Sequence, residues 1–422
     1  MEFKREYDSS KKEFSEISTL IEKYLAIPAY GKLSSLEIAS LKDSANFDFI
    51  LFEINEHAIL LEGESKTVKN IAKRLGGFYK LVRICGETFQ ELFPKLPLPE
   101  SAKFNWTVSK YGCDAEIHDD TQEEVSMFLK ESSLGKARYV KHEAEPSTKL
   151  DSYENALKLV QLERSVLSRT DSRLEGLDIV VYCADGRKQF GYTEFISDLS
   201  GYEKRDFARS YQDPTTTIGP RLARVLVNLS GVKRGEILFD PFCGLGTILQ
   251  ESLICGCNAL GADISQANVR KTISNLQWLK KEFQISPKLW SKVIRADSMQ
   301  LENRDLPHVG GVATEPLLVP KFEKNPTSSE AKDVLRKVQE QYEQIVRALA
   351  RIIPSGRKAV LVAPGIIDGV GKIHLFEIER FFEGDFELYS PGIPNAMGLN
   401  PCVVPTGKKK IIQRRIYVMK RL

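Results

Sequence analysis

Apolar positions divide the chain into two rhythms. From Phe47 to Gly63 the sequence FDFILFEINEHAILLEG alternates short apolar runs with breaks, which predicts strands. In the following TVKNIAKRLGGFYKLVRIC, Val68, Ile71, Ala72 and Leu75 recur at helical spacing until Gly76-Gly77 stops the helix and a strand begins. A second passage repeats the theme, with FNWTVSKYGC as strand, EEVSMFLKESSL as helix and ARYVK as strand. LDIVVYCADGRKQFGYTEF reads as a hairpin that turns at Ala184-Asp185-Gly186. Such compact strand and helix units predict an α+β first half. The polar, apolar-poor stretch GYEKRDFARSYQDPTTTIGP then places a domain boundary, giving an α+β region over 1–200, a linker over 201–216 and a second domain over 217–422.

Beyond Gly219 the period changes. Pro220 suits the first turn of a helix, and Leu222, Val225, Leu226 and Leu229 line one face of RLARVLVNLS. Strands EILFD, NALGAD, KVIRAD, GGVATE, KAVLVA, FELYS and RRIYVM follow, interleaved with the helices TILQESLICG and QANVRKTISNLQWLKKEF. A long helix from about Ser328 to Ile353 and a short one near Phe376 to Phe382 complete the pattern. Strands alternating with helices predict a mostly parallel α/β sheet whose ligand sites lie at the carboxyl ends of the strands.

Length and composition fit that picture. At 422 residues the chain exceeds what one core usually organises, and 42% hydrophobic with 28% charged residues is ordinary for a globular protein. The 60 Lys and Arg against 57 Asp and Glu leave a net charge of +3, too small to announce a polyanion partner by itself. The stretch 388–422 is locally biased, with seven basic residues including Lys408, Lys409, Lys410, Arg414 and Arg415 and no acid. That bias suits a phosphate-facing surface and equally the solvated face of a terminal hairpin. The seven cysteines lack paired zinc-ligand spacing and read as free thiols, so no metal is expected. The charged first residues hold no apolar segment and no later run reaches membrane-spanning length, so a cytoplasmic protein with no membrane association is expected.

The densest chemistry lies in ILFDPFCGLGT, residues 237–247. A buried strand ends at Asp240, Gly244 and Gly246 let backbone approach a ligand, and a new helix at Thr247 offers unpaired N–H groups. The spacing is neither GxGxxG nor GxxxxGK[ST], which disfavours a pyrophosphate cradle. Asp263 closes the second strand, where a carboxylate can accept both hydroxyls of a ribose, and Asp297 at the end of VIRAD can accept from an adenine amino group. Each acid taken alone is more often a helix cap or a strand-end turn residue, a reading that three acids in register at successive strand ends weaken.

DPFCGLGT, followed by GADIS and RADS, resembles the S-adenosylmethionine motifs of class I methyltransferases, in the form found in those acting on exocyclic amines of nucleobases. The longer stretch YEKRDFARSYQDPTTTIGPRLARVLVNLSGVKRGEILFDPFCGLGTIL resembles the tRNA guanosine-2 methyltransferases that carry a THUMP RNA-binding domain ahead of the catalytic domain, and NIAKRLGGFYKLVRI and FNWTVSKYG resemble THUMP segments. The resemblance implies a Rossmann-like catalytic domain with a seven-stranded, mostly parallel sheet, S-adenosyl-L-methionine as cofactor and tRNA as partner. It also implies that Asp263 and Ile264 hold the ribose, Asp297 and Ser298 the adenine, and Asp240, Phe242, Cys243, Gly244, Gly246 and Thr247 the remainder, with Thr217 and Ile218 over the cofactor. Cys243 is expected to be a small packing residue, since no base stands beside it. Family members often work with a small zinc-binding activator protein, for which the apolar strand KVIRAD is a candidate docking edge.

An exocyclic amine is a poor nucleophile because its lone pair is delocalised into the ring. The family answers with T-D-P-P-[YF] after the fourth strand: an acid or amide and a backbone carbonyl accept the N–H bonds and an aromatic stacks on the base. Here TEPLL takes that place, so Glu315, Pro316 and Leu318 are the expected catalytic residues. Glu315 is one methylene longer, Leu317 drops the second proline and Leu318 replaces the aromatic, removing stacking worth about 1–3 kcal/mol per base. RNA contacts are expected from Lys110, Lys136 and Arg138, with Trp106 and Tyr111 interleaved, and from Lys408, Lys409 and Lys410. Two other readings stay open: a non-catalytic RNA-binding protein with a degenerate domain, and an amino-methyltransferase acting on another nucleobase.

Overall fold

The structure, a computed structural model, describes residues 21–45, 49–54, 58–98, 103–112, 115–131, 136–141, 166, 169–170, 173–174, 176–184, 186–213, 217–320, 322, 324–391, 399–404 and 411–422. Lys408, Lys409 and Lys410 lie outside them, as does the side chain of Lys136.

The first half is built from strands β1 (Ile21–Pro28), β2 (Phe49–Ile54), β3 (Ile59–Glu64), β4 (Phe78–Gly86), β5 (Lys103–Tyr111), β6 (Lys136–Tyr139), the two-residue pair β7 (Arg169–Thr170) and β8 (Arg173–Leu174), β9 (Leu177–Ala184) and β10 (Arg187–Ile196). Eight of them form one sheet in the order β2-β3-β1-β4-β10-β9-β5-β6. Helices α1 (Lys32–Ala45), α2 (Ser65–Arg74), the single turn α3 (Phe89–Leu92) and α4 (Ala115–Glu131) connect them. The expected hairpin is present, Ala184 facing Arg187 across its turn. Helix α2 forms where its period dictates, burying Val68, Ile71 and Ala72.

The second half contains α5 (Leu199–Phe207), α6 (Pro220–Leu229), β11 (Ile237–Asp240), α7 (Thr247–Ile254), β12 (Asn258–Asp263), α8 (Gln266–Glu282), β13 (Ser291–Arg295), β14 (Val309–Thr314), α9 (Ser328–Ile352), β15 (Lys358–Ile367), β16 (Ile373–His374), β17 (Phe386–Leu388), β18 (Cys402–Val404) and β19 (Ile412–Arg421). Its sheet runs β13-β12-β11-β14-β15-β19-β17, with β16 and β18 attached to the sides of β15 and β19. The first five strands of that order are mutually parallel, and β19 is antiparallel to both β15 and β17. The order reverses beside β11, which puts the carboxyl ends of β11 and β14 side by side at a topological switch point.

Three expectations are corrected. The stretch read as a polar linker is in part the helix α5, whose Leu199, Tyr202 and Arg205 are buried, Arg205 paired with Glu251, while Glu203 and Lys204 face solvent. The short helix near Phe376 to Phe382 is one 3₁₀ turn, Ile378–Phe381, because Phe376, Ile378, Phe381 and Phe382 all bury at once and Gly384 turns the chain at φ 80°. Cys183 is disulfide-bonded, whereas Cys85, Cys243, Cys255, Cys257 and Cys402 are buried free thiols. Among the described residues no helix is long and apolar enough to cross a membrane.

One core joins the halves. Leu33, Leu36 and Ala39 of α1 and Ile71 of α2 pack with Leu222, Val225, Leu226 and Leu229 of α6, and the same cluster continues to Ala313, Val360 and Val418 of the second sheet. Helix α6 is consequently buried on every side. Glu37 of α1 sits at the junction and accepts from the backbone N–H of Gly76 (2.8 Å) and Gly77 (2.7 Å) and from Asn228 Nδ2 of α6 (2.6 Å). Burial pushes its carboxyl up, and these donors oppose the shift.

Candidate functional site

Asp240 and Asp263 end β11 and β12, Glu315 directly follows β14, and Asp297 lies two residues past β13. Asp240, the last residue of β11, is 2% exposed, accepting from the Thr314 hydroxyl at 2.7 Å and the Phe242 N–H at 3.2 Å. Its surroundings push the carboxyl up to about 7, chiefly through burial, with Asp263 and Glu315 adding like charge. The chain then turns through Gly244 (φ 51°) and Gly246 (φ 80°), the latter capping α7. A Cβ at Gly246 would come within 2.5 Å of Thr272 Cγ2, which would have to shift, and the left-handed φ adds strain.

Helix α8 holds this turn with a polar stripe at i, i+4 and i+7. Asn268 Nδ2 reaches both oxygens of Asp263 at 3.3 Å, Thr272 donates to the Gly244 carbonyl at 2.6 Å, and Asn275 donates to the Leu245 carbonyl at 3.0 Å. Asn275 also exchanges bonds with the backbone of Tyr211, tying down the segment that enters the domain. Asp263 itself accepts from the N–H of Gly244 (3.0 Å) and of Ser265 (2.8 Å). Helix α7 is anchored by α5, by α6 and by the segment after α5: Glu251 accepts from Arg205 Nε of α5 at 2.5 Å and from Arg224 Nε of α6 at 2.8 Å, and Arg209 Nη1 donates to the Thr247 hydroxyl at 2.6 Å.

A cavity of about 350 Å³ opens over the turn. Thr217, Ile218, Asp240, Phe242, Cys243, Gly244, Thr247 and Glu315 line it, so eight residues named from the sequence meet in one place. Gly246, Asp263, Ile264, Asp297, Ser298, Pro316 and Leu318 are not part of that lining. Exposed Asp297 caps a 3₁₀ turn, accepting from the Met299 N–H at 3.0 Å, and buried Ser298 donates to the Pro241 carbonyl at 2.5 Å. Sequence reasoning missed Tyr211, Gln212, Asp213, Leu245, Ile248, Asn268 and Lys271, which also line the cavity; the Asn268–Thr272–Asn275 spacing was the legible signal among them. Burial pushes the Cys243 thiol up, which keeps it neutral and fits packing, not nucleophilic attack.

The turn after β14 differs from expectation. Leu318 is 9% exposed and packs in the core shared by the two halves, whereas Leu317 is 75% exposed. Without an aromatic at 318, an aliphatic side chain fills the core below the loop. Glu315 lines the cavity, and its carboxylate is gripped by Arg414 of β19, with Nε at 2.5 Å from Oε1 and Nη2 at 3.4 Å from Oε2. Burial pushes this carboxyl up and the guanidinium opposes the shift.

Lys110 is corrected as an RNA contact. It is 7% exposed within β5, a strand flanked by β9 and β6, so its side chain is packed and not offered to solvent. Trp106 and Tyr111 of the same strand are buried too, whereas Arg138 is exposed.

Residues 208–364 match the family described as UPF0020, RMKL-like methyltransferase domain. The chain is 51% identical over 61 residues to a tRNA (guanine(10)-N2)-dimethyltransferase of Methanothermobacter thermautotrophicus, covering 14% of this chain and 18% of that protein. It is 33% identical over 135 residues to the protein of the same name from Methanocaldococcus jannaschii, covering 29% of this chain and 37% of that one. These aligned stretches span well under half the length of either relative. The crystal structure of TrmN from Thermus thermophilus superposes with a TM-score of 0.51 at 15% identity, over 95% of this chain and 100% of that one, and so shares the fold. The second half of the chain thus shares the class I methyltransferase fold, and its residues 208–364 are similar to the RMKL-like methyltransferase domain.

Proposed function

We propose that the protein is an S-adenosylmethionine-dependent tRNA methyltransferase acting on the exocyclic amine of a guanosine. The observation that carries this reading is that Glu315 lines the same cavity as Asp240, Gly244 and Thr247, so an acceptor for a target amine faces a glycine turn suited to a cofactor. S-adenosylmethionine, when bound, supplies an electrophilic methyl group. The cavity suits such a group: its size falls in the range of small-molecule sites, its floor carries the buried Asp240 carboxyl, and the first turn of α7 presents N–H groups without intrahelical partners. In this assignment Thr217, Ile218, Asp240, Phe242, Cys243, Gly244, Gly246 and Thr247 surround the amino-acid end, Asp263 with Ile264 serves the ribose, and Asp297 with Ser298 the adenine.

The chain's own contribution is to orient the amine and receive its proton. Ionised Glu315 accepts an N–H of the target, concentrates the lone pair on nitrogen and takes the proton shed once the new N–C bond has formed. The base leaves its stack to reach this depth. We assign tRNA binding to the first half, as a THUMP-like region with exposed Arg138, together with Lys136 and the basic run at 408–410. The small zinc-binding activator belongs with β13, which ends its sheet and leaves an edge. A cytoplasmic location follows from a tRNA substrate.

Nucleoside mass spectrometry of a tRNA pool treated with protein and cofactor tests the assignment: N2-methylguanosine or N2,N2-dimethylguanosine is expected. A second reading, an RNA-binding protein without turnover, draws on the ion pair that already engages Glu315. Cofactor binding with no methylated nucleoside on any tRNA would decide for it. Methylation of DNA in the same assay would instead reassign the substrate.

A further inference from the structure

Glu315 follows a strand whose every residue is buried, yet it begins a segment whose described residues form no helix or strand until Ser328. With one proline in place of two, local backbone stiffness does little to aim a side chain that has three rotatable bonds. Its direction comes from elsewhere. Arg414 lies on β19 opposite Pro364 of β15 and opposite Val404 of β18, so paired strands on both sides fix its backbone. It lies outside the matched segment 208–364, and the extra methylene of a glutamate suits a carboxylate that must span to another strand.

We propose that Arg414 is the positioning residue for Glu315: its guanidinium fork fixes the carboxylate in the acceptor orientation and holds it ionised, replacing the second proline that this turn lacks. Each oxygen receives one guanidinium N–H and keeps lone-pair capacity for the target amine. Burial favours the neutral acid at Glu315. The Glu315 charge in turn raises Asp240, which is bonded to Thr314 immediately before it, and Tyr342 of α9. A protonated Glu315 would offer a hydroxyl donor where the reaction needs an acceptor. Arg414, whose side chain is 23% exposed, is the cation that opposes this outcome.

The inference rests on the proposed amine methylation, and its test separates the two. Arg414→Ala and Arg414→Lys are measured for turnover on tRNA, for S-adenosylhomocysteine affinity by calorimetry, and for Glu315 ionisation by infrared titration of ¹³C-carboxyl-labelled protein against Glu315→Gln. Arg414→Ala is expected to lower kcat by about 10- to 100-fold, the scale of a misplaced catalytic group, while affinity for S-adenosylhomocysteine is unchanged. The acid limb of its pH–rate profile and the Glu315 carboxylate band both move to higher pH. Arg414→Lys restores the ionisation but only part of kcat, because an ammonium lacks the fork. In a Glu315→Asp background, whose shorter side chain does not span to Arg414, the alanine change has no further effect. An unshifted carboxylate band and pH profile in a folded Arg414→Ala protein overturn the proposal, as does an equal loss in the Glu315→Asp background. The infrared titration reports on Arg414 even where the wild-type protein methylates nothing, an outcome that overturns the proposed function instead.

Discussion

The carboxyl ends of β11 and β14 lie side by side and are joined by the Thr314–Asp240 bond, yet they are organised differently. After β11 the chain makes a turn set by Gly244 and Gly246 and enters α7 at once; its supports, Thr272 and Asn275, come from the next helix along. After β14 the described residues form no helix before α9, and the functional carboxylate is held by Arg414, 99 positions downstream. The first end is rigid through local geometry and the second through a long-range ion pair. A glycine turn tolerates little change in sequence, whereas a carboxylate aimed by a distant partner can be re-aimed by changing that partner.

Four measurements test this contrast. Glu251→Ala is expected to cost about 3–5 kcal/mol of stability by thermal unfolding, because it strands the buried Arg205 and Arg224 behind the glycine turn. A smaller loss would mean that α7 is not anchored by α5. Glu315→Ala is expected to lower kcat by about 100- to 1000-fold, equivalent to about 3–4 kcal/mol, with S-adenosylhomocysteine binding intact. Parallel loss of both would merge the two strand ends into one site.

Asp240→Asn reverses the sign. The folded carboxyl stands at about 7 against 3.8 for the free group, so the folded state loses stability as pH rises between those values. The amide, which keeps acceptors for Thr314 and Phe242, is expected to raise stability at pH 8 by on the order of 2 kcal/mol, with the gain gone below about pH 4. A gain independent of pH would remove burial of the charge as its cause. Smallest is Gly246→Ala, for which the left-handed φ sets a cost of about 1–2 kcal/mol in unfolding free energy, accompanied by weaker S-adenosylhomocysteine binding.

The same contrast explains what could be read in advance. The glycine turn, the strand-ending acids and the alternating β and α elements are encoded locally, so the parallel sheet and most of the cavity lining were legible in 237–247 and in Thr217, Ile218 and Glu315. Helix α5 was missed because its Arg205 is buried against Glu251 and Tyr202, and charge taken without a partner reads as solvent exposure. Lys110 misled for the same reason in a strand. The burial of Leu318, expected at the catalytic turn, depends on which residue after Pro316 meets the core from α6, a tertiary fact that no local period carries.

Helix α6 has a consequence of its own. Because its side chains serve the cores of both halves at once and Asn228 binds Glu37 and Arg74 across the junction, neither half presents a finished surface without the other. Melting should therefore run as one cooperative transition. Probes placed in the first sheet and in the second are expected to report the same midpoint, and a segment cut off before Thr217 would expose the apolar faces of α1 and α2 as a sticky patch.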